Sequence, residues 1–284
     1  MTEHVQGTLL VEAVPARGVA SGELFWQGWT APGDSKGAVV LVHGVHEHGG
    51  RYAHVGERLA NSGYPMYAVD HLGHGRSPGV RGNIDRMASV VAGVHALARQ
   101  TAERHPGVPL FLYGHSMGGL IALEYLVADP VELRGAIVSA PAVDLSAASP
   151  MQIRASAMLS RWLPNLGVLA LEAAAVSRDP EVVRDYETDP LNYRGKVRAR
   201  TGAEILNAVL TLPERLKQLK LPLLLIHGSE DRLVPRAATD LVADSAGSDD
   251  ITVKIYQGFY HESHNEPEKE QVLDDIVGWL DRHS

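Results

Sequence analysis

The sequence contains no cysteine, and this absence excludes several kinds of chemistry. Disulfides, thiolate zinc sites and a cysteine nucleophile all require thiols. An excess of basic residues is also missing, since 26 Lys and Arg stand against 34 Asp and Glu, for a formal net charge of −8. Because nucleic-acid binding depends on clustered Lys and Arg, we expect no nucleic-acid partner.

The sequence shows no apolar run of the length that spans a bilayer, which takes roughly 20 residues. The first residues, MTEHVQGTLLVEAV, lack a basic region and a long apolar stretch, and they include the acidic Glu3. This pattern does not predict a signal peptide. We therefore expect a cytoplasmic location, with peripheral contact to a membrane or lipid surface left open.

Short apolar runs separated by helical patterns recur along the 284 residues. Two early runs predict a hairpin and six later ones predict further strands; the ranges are 8–14, 22–29, 38–44, 65–71, 109–115, 135–141, 222–228 and 252–258. Most are continuously apolar, which is typical of parallel strands covered by helices on both faces. The sequence thus predicts an α/β fold with a mostly parallel, eight-stranded sheet. We expect Asn265 to cap a final helix and Pro267 to lie in its first turn.

About 75 residues between the runs at 135–141 and 222–228 show no clear strand pattern. A loop of that length needs structure of its own. Much of it, MQIRASAMLSRWLPNLGVLALEAAAVS, is apolar and compatible with helix. We expect residues 145–205 to form a helical cap, or lid, over the carboxyl edge of the sheet, where the sites of such folds collect. Residues 1–144 and 206–284 would form the core.

A G-x-S-x-G pattern occupies residues 114–118, with Ser116 at its centre, between a predicted strand and a predicted helix. In this setting the pattern predicts a nucleophile elbow, a turn so tight that the serine backbone is strained and its neighbours must be small. The helix that follows directs N–H groups and a positive dipole end toward the serine. Ser116 is therefore the candidate nucleophile, and a glycine-rich turn with an idle serine is the alternative.

A serine hydroxyl needs a base to take its proton and an acid to orient that base. His261 and His264 both follow the last predicted strand; we choose His261, because His264 directly precedes the final helix. Asp231 follows the penultimate strand, and Asp144, after an earlier strand, is the rival acid. The chain order Ser116, Asp231, His261 is the order found in α/β-hydrolases. Taken singly, Asp231 could be a turn residue and His261 a packed loop histidine.

The oxyanion that forms when serine attacks a carbonyl needs two hydrogen-bond donors. One should be the N–H of the residue after the nucleophile, Met117, and the other should come from the loop after an early strand, where we choose Val45. Histidines near that loop could instead bind a metal, as in metal-dependent hydrolases. The residues of this rival interpretation are His43, His46, His48, Asp70, His71 and His74. It leaves the elbow and the late Asp–His pair unexplained.

Together these motifs resemble those of the monoacylglycerol lipases of the α/β-hydrolase superfamily, particularly the actinobacterial ones. The resemblance rests on HGVHEHGGRY, DHLGHGRS, GHSMGG, SRDPEVVRDYETDPL, HGSEDRLVP and YHESHNEPE, which span residues 43–268. It implies the α/β-hydrolase fold with a lid, a triad of Ser116, Asp231 and His261, and an oxyanion hole from Val45 and Met117. It implies no metal and no cofactor.

The resemblance also implies four substrate contacts: Glu47, Arg51, His115 and Tyr186. Three of them, Glu47, Arg51 and Tyr186, match positions at the polar glycerol end of the site. From the residues alone, Glu47 and Arg51 could simply form an ion pair four positions apart, and Tyr186 could be a packing residue. The implied activity is cleavage of a monoacylglycerol into fatty acid and glycerol through an acyl-enzyme. A lysophospholipase or broad carboxylesterase would use the same triad, and a catalytically silent ligand-binding protein is the alternative outside enzymes.

Overall fold

The continuously apolar runs form the buried strands of one large sheet. The computed structural model describes residues 2–12, 18, 21–128, 130–143 and 150–284, apart from the side chains of 150–155. Asp144 and the first residues of the expected cap lie outside the described residues. The strands of the described chain are β1 (Glu3–Val11), β2 (Gly22–Thr30), β3 (Ala38–Val42), β4 (Met66–Val69), β5 (Leu110–His115), β6 (Gly135–Ser139), β7 (Gly167–Leu169), β8 (Val197–Arg198), β9 (Leu223–Gly228) and β10 (Ile251–Tyr256).

Eight of these strands pair in the order β1-β2-β4-β3-β5-β6-β9-β10. The hairpin of β1 and β2 is antiparallel, and so is the pairing of β2 with β4, whereas all later pairings are parallel. The predicted eight-stranded, mostly parallel sheet is therefore confirmed. The carboxyl ends of the parallel strands meet at one edge, where loops after them can share a site.

Helices cover both faces of the sheet, as predicted. They are α1 (Ala53–Asn61), α2 (Met87–Arg104), α3 (Met117–Leu126), α4 (Pro150–Trp162), α5 (Pro180–Thr188), α6 (Ala199–Leu216), α7 (Ala237–Ser245) and α8 (Lys269–His283). One buried cluster joins the sheet to α2, α3, α6 and α7, and a second joins the opposite face to α1 and α8. Two separate cores thus hold the sheet rigid beneath the site.

The start of the final helix differs from the prediction. Helix α8 begins at Lys269 with Glu268 as its N-cap residue, so Asn265 does not cap it and Pro267 precedes it. Asn265 ends a short 3₁₀ turn and donates from its side chain to Glu262 at 2.7 Å. The backbone after it stays extended, because the buried carboxylate of Glu266 is held by other partners. Tertiary contacts therefore delay the helix by one turn.

The segment between β6 and β9 contains α4, β7, α5, β8 and α6. The sequence predicts only helix in this segment, but the structure also contains a short antiparallel pair, β7 and β8. Helix α6 continues from β8 into the main core, where Val209, Leu212 and Leu216 are buried. The expected boundary at residue 205 falls inside this helix. Among the described residues, no helix is long and apolar enough to cross a membrane.

Candidate active site

Ser116 lies at a strained turn between β5 and α3. Its φ is 56° and its ψ −122°, a conformation that side-chain-bearing residues rarely adopt. The flanking glycines allow the close approach that the turn requires: a Cβ on Gly114 would come within 2.5 Å of the carbonyl oxygen of Gly118. A Cβ on Gly118 would overlap the carbonyl of Val42 in β3. The geometry is that of the expected elbow, with the serine raised at the carboxyl edge of the sheet.

Asp231 and His261 meet at this edge from the loops after β9 and β10. Nδ1 of His261 donates to Oδ2 of Asp231 at 2.7 Å. The other oxygen, Oδ1, accepts the backbone N–H groups of Leu233 and Val234 at 2.8 and 3.0 Å. Although burial raises the pKa of Asp231, the charge of His261 and hydrogen bonds from His227, His261 and the N–H of Val234 outweigh it and hold the pKa well below its usual range. The carboxylate is therefore charged and fixed in orientation.

His261 presents its other face to a cavity. Burial lowers the pKa of its imidazole, but the charge of Asp231, aided by Glu262 and Glu47, raises it above the ordinary value of 6.5. Ser116 and His261 line the same cavity. Within the described part of the chain no hydrogen bond joins the serine hydroxyl to the imidazole, and such bonds commonly tighten only when substrate is bound.

The two expected oxyanion donors lie beside the serine. Val45 and Met117 both line the cavity, and Met117 is the first residue of α3. Their N–H groups donate to no backbone or side-chain acceptor among the described residues. The neighbouring N–H of Gly44 is instead taken by Oε1 of Glu47 at 2.6 Å. That bond fixes the loop, and the N–H of Val45 is left without an acceptor among the described residues.

Glu47 and Arg51 belong to a buried ionic network, of which the sequence predicts only the pair that these two residues form. The guanidinium of Arg51 donates to Glu47 at 2.6 Å and, through two nitrogens, to Glu262 at 2.6 and 2.7 Å. Burial raises the pKa of Glu262, but Arg51 outweighs it and lowers that pKa. Tyr52 adds a bond to Glu47 at 2.8 Å. Glu47 is thus an ion-pair partner of Arg51 and also a constraint on the oxyanion loop.

Of the four expected substrate contacts, three line the cavity and one does not. Glu47, His115 and Tyr186 are on its wall, whereas Arg51 is not. The ring of Tyr186 lies over the Arg51 guanidinium, 4.8 Å from its carbon. Arg51 therefore supports the polar wall from behind. His115 is buried beside the serine, 4.7 Å from the His261 ring between centroids.

Three histidines of the rival metal interpretation, His43, His71 and His74, bond to backbone groups of the strand-end loops. Nε2 of His43 accepts the backbone N–H of His71 at 3.0 Å, and its Nδ1 donates to the carbonyl of Gly44 at 2.8 Å. Burial lowers the pKa of His71 to about 3 and of His74 to about 4. No group of three or more His, Cys, Asp or Glu among the described residues is arranged to hold a metal ion.

His264 lies apart from the acid. It is fully buried and stacks on Tyr52, with 4.7 Å between ring centroids. Neither of its nitrogens has a hydrogen-bond partner in the described chain. Of the two candidate bases, only His261 contacts Asp231.

The sequence does not predict the roles of two groups near the site. Glu262 follows His261 directly, but nothing in its position shows that it binds Arg51, which lies 211 residues earlier. His227 precedes the loop of Asp231 and reaches it only through the fold of that loop.

The cavity above the serine has a volume of about 580 Å³. Its walls include apolar side chains from the segment between β6 and β9, namely Leu159, Val168, Leu169, Leu171, Val176, Val197, Ala199, Ala203, Ile205, Leu206 and Val209. Polar groups, among them Glu47, Tyr186 and Glu262, lie at its wall as well. A cavity of this size is in the usual range for small-molecule ligands, roughly 300–1,000 Å³.

This sheet, with a serine elbow after its fifth strand and an Asp–His pair in its late loops, defines an α/β-hydrolase. A family model described as Serine aminopeptidase, S33, matches residues 33–268. The chain belongs to this family of hydrolases, and within it to the monoacylglycerol lipases and their relatives. It is 40% identical to the monoacylglycerol lipase of Mycolicibacterium smegmatis over 94% of this chain and 95% of that protein.

Two further comparisons agree. The monoglyceride lipase of Homo sapiens is 34% identical over 92% of this chain and 88% of its own. The crystal structure of the Paleococcus ferrophilus monoacylglycerol lipase superposes with a TM-score of 0.82 at 30% identity, covering 93% of this chain and all of that one. The resemblance seen in the motifs is therefore confirmed.

Proposed function

We propose that this protein is a serine esterase that cleaves a monoacylglycerol into a fatty acid and glycerol. The observation that carries the proposal is the single cavity that joins Ser116 and His261 to apolar walls and to a polar wall. An acyl chain fits the apolar walls, since each buried methylene contributes about 0.8 kcal/mol. A glycerol group fits the polar wall, where the hydroxyl of Tyr186 makes no hydrogen bond to the described residues.

The chemistry follows from the proposed triad. His261 takes the proton of Ser116 as the serine oxygen attacks the ester carbonyl, and Asp231 holds the imidazole and stabilises its charged form. The N–H groups of Val45 and Met117 stabilise the oxyanion. His261 then protonates the glycerol oxygen as it leaves, and water hydrolyses the acyl-enzyme with His261 again as base. No step calls for a metal or a cofactor.

The network behind the polar wall explains how the site is held in place. Arg51 carries one positive charge between two buried carboxylates, and its own side chain is only 9% exposed. Such a network keeps its geometry only when its hydrogen bonds are satisfied, as they are here by Gly44, Tyr52 and Asn265. The network thereby fixes the oxyanion loop relative to the loop of His261.

The cap, proposed as residues 145–205, carries apolar side chains that are exposed to solvent. Six of them are 45–74% exposed on α4, β7 and the turn between them: Met158, Trp162, Leu163, Leu166, Val168 and Leu169. A patch of this kind is costly in water and marks a contact surface. Val168 and Leu169 also line the cavity. We propose that this patch touches lipid at a membrane or droplet surface, so that a monoacylglycerol passes directly from lipid to the serine.

A hydrolysis panel tests the proposed substrate. The purified protein is given monoacylglycerols of graded chain length, diacylglycerols, triacylglycerols, lysophospholipids, p-nitrophenyl esters and an amino-acid p-nitroanilide. We expect the highest kcat/KM for a monoacylglycerol. Preference for a lysophospholipid or a short ester would favour the esterase alternatives on the same triad, preference for the anilide would favour a peptidase, and no turnover of any substrate would favour a silent binding protein.

A further inference from the structure

His227 is a second histidine at the acid of the proposed triad. It is the fifth residue of β9, a strand paired on both sides, and it is fully buried. A buried imidazole is stable only when its nitrogens have partners. Nδ1 lies 2.7 Å from the hydroxyl of Thr239 in α7, and Nε2 lies 3.0 Å from the carbonyl oxygen of Val234. Nε2 also lies 3.3 Å from Oδ2 of Asp231.

The partners of His227 determine where its proton lies. The carbonyl of Val234 and the carboxylate of Asp231 can only accept hydrogen bonds. Nε2 therefore carries a proton whichever charge the ring has. Its N–H bonds to the carbonyl of Val234, and Oδ2 of Asp231 lies 3.3 Å from the same nitrogen. Thr239, whose hydroxyl can donate or accept, holds Nδ1 and prevents the ring from flipping.

Oδ2 of Asp231 is consequently shared between two histidines. His261 approaches it from the cavity at 2.7 Å, and His227 approaches it from the strand at 3.3 Å. The other carboxylate oxygen of Asp231, Oδ1, accepts the backbone N–H groups of Leu233 and Val234. His227 is the side-chain donor on the side away from the reacting atoms, so it can act on the reaction only through Asp231.

We propose that His227 is a positioning residue of this site, whose Nε2–H holds Oδ2 of Asp231 in line with His261 and takes up part of its negative charge. This inference rests on the proposed function, because it needs Ser116 to react through His261. Without the donor, Oδ2 would be less firmly oriented, and its full charge would face His261. The first effect lowers the rate, and the second raises the pKa of His261.

Other charged and titratable groups also face His261, and a substitution at His227 replaces none of them. They are Asp231, Glu262, Glu47, His115 and His264. A shift of the His261 titration in a His227 variant therefore reports the contact to Asp231.

A matched pair of variants tests the proposal. In His227→Gln the amide nitrogen can stand near the position of Nε2 and donate to Asp231, whereas in His227→Asn the shorter amide keeps only the bond to Thr239. Thr101→Val is the control. Thr101 is buried like Thr239, but its hydroxyl donates to the carbonyl of Leu97 within α2. The readouts are the rate of Ser116 labelling by a fluorophosphonate as a function of pH, and kcat and KM for a short ester.

We expect His227→Asn to label about tenfold more slowly, the effect of weakening one hydrogen bond to a charged group. Its KM should stay within about twofold of wild type, and the ascending limb of its pH profile should move up by about half a pH unit. His227→Gln and Thr101→Val should match wild type within about threefold, with unmoved limbs.

Each outcome decides the matter. A folded His227→Asn protein with the rate and limb of wild type overturns the positioning role while leaving the proposed function intact. Should the Asn variant fail to fold, His227→Gln decides, because a tenfold loss or a moved limb there contradicts the proposal. If wild type itself is not labelled at Ser116, the proposed function fails, and this inference fails with it.

Discussion

Arg178, at the entrance to α5, donates from Nε to the buried carboxylate of Glu266 at 2.8 Å. The other oxygen of Glu266 accepts the backbone N–H of Tyr260 at 2.7 Å, directly before His261. Ser177 adds a bond from its hydroxyl to the backbone of the same loop at 3.0 Å. These bonds therefore link the part of the cap segment just before α5 to the loop that carries His261.

We expect Glu266→Gln to weaken this link between the cap segment and the loop of His261. The amide can still accept from Tyr260, but the ion pair with Arg178 is lost, and the unfolding free energy should fall by about 2 kcal/mol. kcat/KM should fall several-fold, because the loop of His261 is less firmly held. Glu268→Gln is the control, since Glu268 meets Arg178 at the exposed surface. Urea unfolding and ester hydrolysis measure both effects, and equal losses in the two variants would contradict this role of Glu266.

The acid of the triad is predicted to be Asp231 rather than Asp144. Asp231→Asn should reduce kcat by several orders of magnitude, since the amide cannot stabilise the imidazolium of His261. Asp144→Asn should leave kcat nearly unchanged. Steady-state hydrolysis of one ester by both purified variants makes the comparison, and a much larger loss in the Asp144 variant would reverse the assignment.

The base is predicted to be His261 rather than His264. His261→Ala should remove nearly all activity. His264→Ala should remain active but lose about 2 kcal/mol of unfolding free energy, because it leaves a cavity beside Tyr52. A well-folded but inactive His264 variant beside an active His261 variant would overturn this choice.

The pH profile follows from the charge next to His261. The imidazole must be neutral to act as base, so kcat/KM should rise with pH through its pKa. Asp231 raises that pKa, so the ascending limb should lie above 6.5 in wild type. In the residual activity of Asp231→Asn the limb should move to lower pH, because the negative charge is gone. A limb that moves upward in this variant would contradict the ion pair.

The exposed cap residues are predicted to act on lipid substrates. Leu166→Ser and Leu169→Ser should lower kcat/KM for long-chain monoacylglycerols dispersed in lipid more than for short soluble esters. Val253→Ser, on β10, is the control for loss of an exposed apolar side chain. Equal effects on both kinds of substrate would show that these leucines serve only the folding of the cap.

Local patterns in the sequence were sufficient for the sheet and for the elbow. Continuous apolar runs predict buried parallel strands, and the glycines on both sides of Ser116 predict a tight turn. The predicted start of α8 is wrong because the side chain of Asn265 binds Glu262 and the carboxylate of Glu266 binds Arg178 and the backbone of Tyr260. No local pattern in the sequence shows these contacts. The strands β7 and β8 have three and two residues and left no readable periodicity.

The candidate site was predictable where chain order and strand ends determine it. Ser116, Asp231 and His261 come together because each follows a strand of one parallel sheet. The contacts that hold them were not predictable in the same way. Arg51 with Glu262 and Arg178 with Glu266 join residues 211 and 88 positions apart, so they depend on the finished fold.

Labelling of the nucleophile in competition with substrate tests the central claim most directly. Wild type and Ser116→Ala are treated with a fluorophosphonate, with and without a monoacylglycerol, and the adduct is located by peptide mass spectrometry. We predict one adduct per chain, on Ser116, formed more slowly when the monoacylglycerol is present, and none in the variant, which should stay folded and lose at least about a thousandfold in turnover. Labelling at another residue, or a Ser116→Ala protein that keeps a tenth of wild-type activity, would contradict the account.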